Sequence, residues 1–317
     1  MEDIEFINDA GFDRWKDIVQ LIEKSERWAL SENDFHWWKT GFGPSNLNLL
    51  VAVDKRTNQT VGCVVSAYYE PTDGSEPLMT IGAFFVHPSY RGTGIGLALF
   101  NKVIDDPRFK DINWGLDGAS SMTKKYASKY GYDKYMDWKT SYFKISVEDV
   151  EPSRLDKSKE ITIVGVNDVE IGKILEYDFN IQGKRVRRDK VLKSLLRGSD
   201  CFSRVALNKD GEVVGYGNIR KGLGRQLSTC PIYAETPEIA STLLREILES
   251  IPNLKSDYTY LWLLPADTNK AATELIQKLS GGKAVDCGVS YGQFTKSVIQ
   301  TDGSKIFSAT VYAMSLA

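Results

Sequence analysis

Between Val86 and Leu97 the chain reads Val-His-Pro-Ser-Tyr-Arg-Gly-Thr-Gly-Ile-Gly-Leu, an order of residue types suited to holding a diphosphate. Apolar Ile81, Phe84 and Val86 run as a strand into Pro88, which cannot continue a β-ladder. Gly92, Gly94 and Gly96 then precede an apolar run (Leu97, Leu99, Phe100, Val103) that predicts a helix. Glycine lets the backbone approach a ligand and turn its amides one way. The new helix adds unpaired N–H groups and the positive end of its dipole. Arg91 adds a planar charged fork. Two other phosphate loops fail on the residues. A P-loop ends in Gly-Lys-Ser/Thr, whereas this stretch ends Gly96-Leu97-Ala98. A dinucleotide fingerprint follows its strand directly, whereas His87 to Arg91 intervene here and Leu97 occupies its third glycine position.

The loop needs a sheet and helices to position it, and the rest of the chain supplies a pattern for both. Ile4–Ile7 reads as a strand, with Asp9 as helix cap. Trp15, Ile18, Val19 and Ile22 form one apolar helical face, and a second helix carries Phe35, Trp37 and Trp38. Val51-Ala52-Val53-Asp54, a turn containing Asn58, and Val61-Gly62 read as a hairpin. Half the chain further on, Val205-Ala206-Leu207-Asn208, a turn at Asp210-Gly211, and Val214-Gly215 read the same way. This echo implies a duplicated fold. In the first half, strands at 112–116 and 142–145 flank a helix over 122–130. In the second, strand, helices, hairpin, helix, strand, helix and strand follow in order from Ile161 to Phe294. Residues 148–159, charged and containing Pro152, read as a linker between a domain of residues 1–147 and another of 160–317.

Composition narrows the function classes. The chain has 317 residues, enough for two domains with their own cores, and a formal charge of -2 argues against a protein devoted to nucleic acid. Cys63, Cys201, Cys230 and Cys287 form no Cys-x-x-Cys pair and read as reduced thiols. The only histidines, His36 and His87, have no partner at ligand spacing, so no metal is expected. Early carboxylates (Glu2, Asp3, Glu5) and the lack of a membrane-length apolar run imply a soluble, cytoplasmic protein with no membrane partner.

Val86, Pro88, Arg91, Gly92, Gly94, Ile95 and Gly96 resemble the coenzyme A loop of the GNAT superfamily of N-acetyltransferases. Tyr126-Ala-Ser-Lys-Tyr-Gly-Tyr132 resembles the Tyr…Gly-Phe helix end of that family. The second half resembles it more loosely, in Gly215-Tyr216-Gly217, Arg220 and Cys230-Pro231-Ile232-Tyr233-Ala234. The resemblance implies an α/β (α+β) fold: a tandem GNAT architecture, mainly antiparallel sheet flanked by helices, in two copies. It implies acetyl-CoA as donor, bound by Phe84, Val86, Arg91, Gly92, Thr93, Gly94, Ile95 and Gly96. The second half has Glu235-Thr236-Pro237-Glu238 in place of the loop, and its carboxylates would repel a diphosphate, so that half reads as non-catalytic.

Direct transfer to an amine needs a base for the ammonium and an acid for the departing thiolate. Tyr126 is a candidate acid, although it lies one residue further from Gly131 than the family's tyrosine; its other reading is a packing aromatic. The family's usual glutamate falls at Thr80, which cannot serve. Asp117 and Glu70 are the candidate bases, each otherwise a surface carboxylate. Trp37 and Trp38 are candidates for stacking on the acceptor or for the core. Lys184-Arg185-Val186-Arg187-Arg188 reads as a solvated helix face, with an acidic ligand as the alternative. The reading is an enzyme, monomer or homodimer, acetylating a small-molecule amine. A non-catalytic acyl-CoA binder and a peptide or protein acetyltransferase are the alternatives.

Overall fold

The computed structural model describes residues 2–72 and 74–310. The first half runs β1 (Ile4–Ile7), α1 (Phe12–Glu26), α2 (Asp34–Phe42), β2 (Leu47–Asp54), β3 (Gln59–Tyr69), β4 (Leu78–Val86), α3 (Ile95–Ile104), β5 (Asn113–Ala119), α4 (Thr123–Tyr130) and β6 (Lys134–Ser146). The second runs β7 (Thr162–Gly165), α5 (Ile171–Ile181), α6 (Asp189–Leu196), β8 (Cys201–Leu207), β9 (Val213–Gly222), β10 (Gln226–Ala234), α7 (Pro237–Glu249), α8 (Leu254–Asp257), β11 (Tyr260–Leu263), α9 (Lys270–Ser280), β12 (Val285–Phe294) and β13 (Ile306–Ser308).

All the strands join one mixed, mainly antiparallel sheet in the order β1-β2-β3-β4-β5-β12-β6-β11-β10-β9-β8-β7, with β13 against β10. The halves exchange their last strands. β12 pairs with β5 (Phe294 opposite Gly115, Ser290 opposite Ala119) and with β6, and β6 pairs with β11 (Ile145 opposite Leu261). The sheet therefore crosses from one half to the other through side chains that are far apart in sequence. Both hairpins of the echo are present, with Asn58 and Gly211 at positive φ in their turns.

Each half buries one helix pair on each face of the sheet. On one face of the first half, Trp15, Ile18 and Ile22 of α1 and Trp38 of α2 meet Val51, Val65 and Phe85. On the other, Leu99 and Phe100 of α3 and Tyr126 of α4 meet Leu50, Val64 and Met79. Burying a large apolar side chain is worth about 1.5–3 kcal/mol, so the α1 stripe alone fixes that helix. In the second half α7 and α9 cover one face, and α5 and α6 the other. The halves also dock through helices. Gly41 of α2 lies against the Val191 backbone of α6, where a Cβ would stand 2.5 Å from the Val191 Cα.

Several local expectations need correction. Asp9 does not cap α1: it sits at φ 47° and pairs with Lys39, while Gly11 occupies the cap position. Lys184–Arg188 is no helix face but the turn between α5 and α6. Arg188 is buried against Asp178 at 2.7 Å, Arg187 pairs with Glu176 and Asp189, and Arg185 donates to Ser75, Ser297 and the Val298 carbonyl. Arg185 and Arg188 are thus tied inward, whereas Lys184 is exposed and Arg187 half-buried. The segment 148–159 is packed, with Val150 and Leu155 in the core of α7 and α9. β10 and β13 were absent from the expected strand order.

Candidate active site

β4 and β5 run parallel and in register from Leu78 opposite Asn113 to Ile81 opposite Leu116, and then part. The parting coincides with an irregularity in β4. Ala83 takes φ 43°, and the register with β3 slips between Cys63 and Val65. A bulge bends its strand and raises the local twist, so β4 swings away from β5 and leaves a notch.

A cavity of about 960 Å³ occupies the notch. Its walls include Phe100 of α3 and Tyr126 and Tyr130 of α4 from one face of the sheet. Glu26 to Ala29, at the end of α1 on the opposite face, also line it, so the cavity passes through the sheet. At one mouth stand Phe84, Val86, Arg91, Gly92, Gly94 and Gly96. Gly94 is the N-cap of α3 at φ 92°, with no side-chain hydrogen bond to the helix amides, and the space around its would-be Cβ is open. The first amides of α3 thus point from an uncapped helix end. Thr93 is exposed and donates to the Tyr90 carbonyl at 2.7 Å, whereas Ile95 is buried in the core below α3. Arg91 donates through Nε to the Val86 carbonyl at 3.0 Å and pairs with Glu26 across the mouth.

Asp117, on β5 just past the parting, lines the same cavity. Burial raises its carboxyl to about 7, far above the usual carboxylate range. The Tyr126 ring lies beside the same strand, 3.4 Å from where a Cβ on Gly118 would stand. It stacks on Phe100, and burial pushes its hydroxyl up to about 12. Asp117 and Tyr126 therefore line the same cavity from opposite faces of β5. Glu70 is exposed at the end of β3 and does not line it. Thr80 is buried and donates to the Ala67 carbonyl. Trp37 and Trp38 are core residues, 4% and 0% exposed.

Several residues on the wall escaped the sequence reading: Trp28, Tyr142, Ser228, Trp262, Leu264, Cys287 and Ser290. Most follow residue 226 and reach the cavity only through the exchanged strands. The alternation Tyr258-Tyr260-Trp262 was the one local sign of an unusual strand face. The residue 27–33 segment is held to the second half as well. Arg220 of β9 pairs with Asp34 at 3.0 Å, both fully buried, and donates to the Ala29 carbonyl at 2.6 Å. Burial raises the Asp34 carboxyl to about 6 against the lowering effect of Arg220.

No metal-holding cluster of His, Cys, Asp and Glu occurs among the described residues, and no helix among them is long and apolar enough to cross a membrane.

Similar proteins agree with this architecture. An uncharacterized Caenorhabditis elegans protein is 24% identical over 240 residues, covering 73% of this chain and 71% of that one. A putative acetyltransferase from Pyrococcus horikoshii superposes with a TM-score of 0.71 at 19% identity, over 99% of this chain and 97% of that one. A tandem GNAT protein from the clavulanic acid biosynthesis pathway gives 0.63 at 14%, over 92% and 97%. The N-myristoyltransferase of Saccharomyces cerevisiae, solved with myristoyl-CoA, gives 0.65 at 10%, over 98% and 90%. An acetyltransferase (GNAT) domain is matched by residues 174–300, and the family described as "Protein of unknown function (DUF1248)" by residues 1–181. With more than half its length matched by that family, the chain belongs to the DUF1248 family, and its fold is that of tandem GNAT proteins.

Proposed function

We propose that this protein is an N-acetyltransferase that moves the acetyl group of acetyl-CoA to the primary amine of a small molecule, by direct attack in a ternary complex. The observation that carries the reading is the cavity itself, which joins an uncapped, glycine-opened helix end to a carboxyl titrating near neutrality. Arg91 and the backbone of residues 92–96 would hold the donor diphosphate, with Phe84 and Val86 along the pantetheine arm. Asp117 takes a proton from the arriving ammonium, which frees the nitrogen lone pair. The neutral nitrogen attacks the thioester carbonyl, forming the C–N bond. The C–S bond then breaks, the thiolate takes a proton from Tyr126, and the second proton shed by the nitrogen restores the tyrosine hydroxyl. A lysine-like amine, with a pKa of about 10.4, needs such a base because it arrives protonated. The hydroxyl of Tyr126 keeps its proton at neutral pH and so suits the acid role.

The test is a transfer assay with purified protein, acetyl-CoA and a panel of primary amines, following free thiol and acetylated product together. Product formation that depends on both substrates supports the reading. Donor binding with no transfer to any amine leaves a non-catalytic acyl-CoA binder instead.

A further inference from the structure

The connection between α1 and α2 belongs to the first half by sequence, yet the second half holds it. Arg220 of β9 spans it, pairing with Asp34 at 3.0 Å and donating to the Ala29 carbonyl at 2.6 Å. The Leu223 N–H donates to the Leu30 carbonyl at 2.8 Å, and Ser31 Oγ donates to Asp200 at 3.3 Å. Gly222 lies so close that a Cβ there would stand 3.2 Å from the Ala29 carbonyl carbon. Trp28 and Ala29, carried by this connection, line the cavity. Arg220 stands opposite Ser228 in the sheet, and Ser228 opposite Trp262, both of which line the cavity as well.

Asp117 looks toward the same face of the sheet. Gly115 of β5 meets Phe294 of the α1 core, where a Cβ would stand 2.9 Å from the ring. Alternation along the strand puts Asp117 on that face too. The glycine loop leads instead into α3, which packs on the other face. With the donor on the loop, the amine reaches the thioester from the Asp117 side, where Trp28 and Ala29 form the wall.

Stability does not call for a charged pair at this place. Desolvation offsets most of the attraction in a buried ion pair, and apolar side chains of similar volume often do as well. Arg220 Nε, moreover, has no hydrogen-bond partner among the described residues. Apolar side chains could not, however, grip the Ala29 carbonyl while braced on Asp34. Asp34 in turn accepts the Ser31 N–H at 2.8 Å and the Trp37 indole N–H at 3.3 Å, which ties the grip into the first-half core.

We infer that Arg220 is a positioning residue for the acceptor: from the second half it sets the Trp28–Ala29 wall against which the amine lies. This rests on the transferase reading above. The double variant Asp34→Asn, Arg220→Met tests it, since it removes the grip, leaves no buried charge unpaired, and keeps an oxygen for the Ser31 N–H. The probe is whichever amine of a panel containing hexylamine, benzylamine and Nα-acetyllysinamide the wild type acetylates with the highest kcat/KM. Its KM should rise about tenfold with kcat little changed, the pattern of lost ground-state binding. Acetyl-CoA affinity should stay as in the wild type. Amide hydrogen exchange should quicken in residues 28–31 and not in α3. Gly222→Ala keeps the ion pair but presses on the Ala29 backbone, and should raise the same KM by a smaller factor. A wild-type amine KM in the folded double variant or in Gly222→Ala, or acetyl-CoA affinity lost along with amine binding, overturns the positioning role and leaves the transferase reading standing. Acetyl-CoA bound by the wild type but passed to none of the amines overturns both.

Discussion

The molecule has the same parting of parallel strands twice, and only one of them is open. In the first half β4 and β5 separate after Ile81 and Leu116, and the cavity fills the gap. In the second, β10 and β11 pair from Gln226 opposite Tyr260 to Ser228 opposite Trp262, and β10 then slips register between Thr229 and Ile232. There the chain's own β13 enters the gap. Ile232 and Tyr233 pair with Ser308 and Ile306, Leu264 N–H donates to Ser308 Oγ at 2.7 Å, and Ala309 N–H returns a bond to the Leu264 carbonyl at 2.7 Å. The helices that follow differ in the same sense. α3 begins at an uncapped glycine. α7 begins at Thr236, whose hydroxyl accepts the Ile239 N–H, and at Pro237, which has no N–H to offer. A duplicated frame has thus been kept open where amides are unspent and closed where backbone and caps already satisfy them.

The comparison can be broken most sharply at the chemistry. Asp117→Asn should lower kcat by about 10²–10⁴-fold, the usual worth of a positioned base, with acetyl-CoA affinity retained. The sign of the pH dependence follows from the raised carboxyl. The base is active only when deprotonated, so kcat/KM should rise with pH through a midpoint near 7. Protonation of the amine adds a second ascending limb at higher pH. The limb near 7 should vanish in Asp117→Asn; its persistence would remove Asp117 from the mechanism.

Next in size is the loop. Gly94→Asp places a carboxylate about 4 Å from a phosphate, which costs about 4 kcal/mol near a protein surface and weakens donor binding up to roughly a thousandfold. The φ of 92° at Gly94 adds strain, though aspartate tolerates such a conformation better than most residues. The matching change in the second half, Pro237→Asp, should leave donor affinity unaltered. Equal loss in both would make the halves equivalent as binders.

The plug should reveal itself in stability. Ile306→Ala removes a fully buried side chain from β13 and should cost about 2–5 kcal/mol, read as a lower Tm, without creating a second donor site. The smallest effect concerns the mouth of the open notch. Glu26→Gln releases Arg91 from its partner and should tighten acetyl-CoA binding by less than about fivefold, since exposed ion pairs are worth about 0.2–1 kcal/mol. Weaker binding in this variant would mean that Glu26 positions Arg91 rather than restrains it.

What could be read from residues alone was whatever is encoded locally. The α1 stripe, the two hairpins and the glycine loop each lie within a short window, where side-chain spacing decides the structure. The GNAT fold was legible for the same reason, since its signature sits in residues 86–96, and its duplication was legible in the repeated hairpins at 51–62 and 205–215. Charge clusters misled: Lys184–Arg188 looked solvated because its partners Asp178, Ser75 and Ser297 are fixed by tertiary packing. The second-half lining of the cavity was illegible because Ser228, Trp262 and Ser290 join Asp117 only through exchanged strands. β13, three residues long, carries no periodicity that could announce it.

The central claim, one working notch and one filled, is tested most directly by calorimetric titration of the intact protein with acetyl-CoA. The account predicts one site per chain, lost in Gly94→Asp and retained in Pro237→Asp. Two equivalent sites, or a single site that survives Gly94→Asp unchanged, would contradict it.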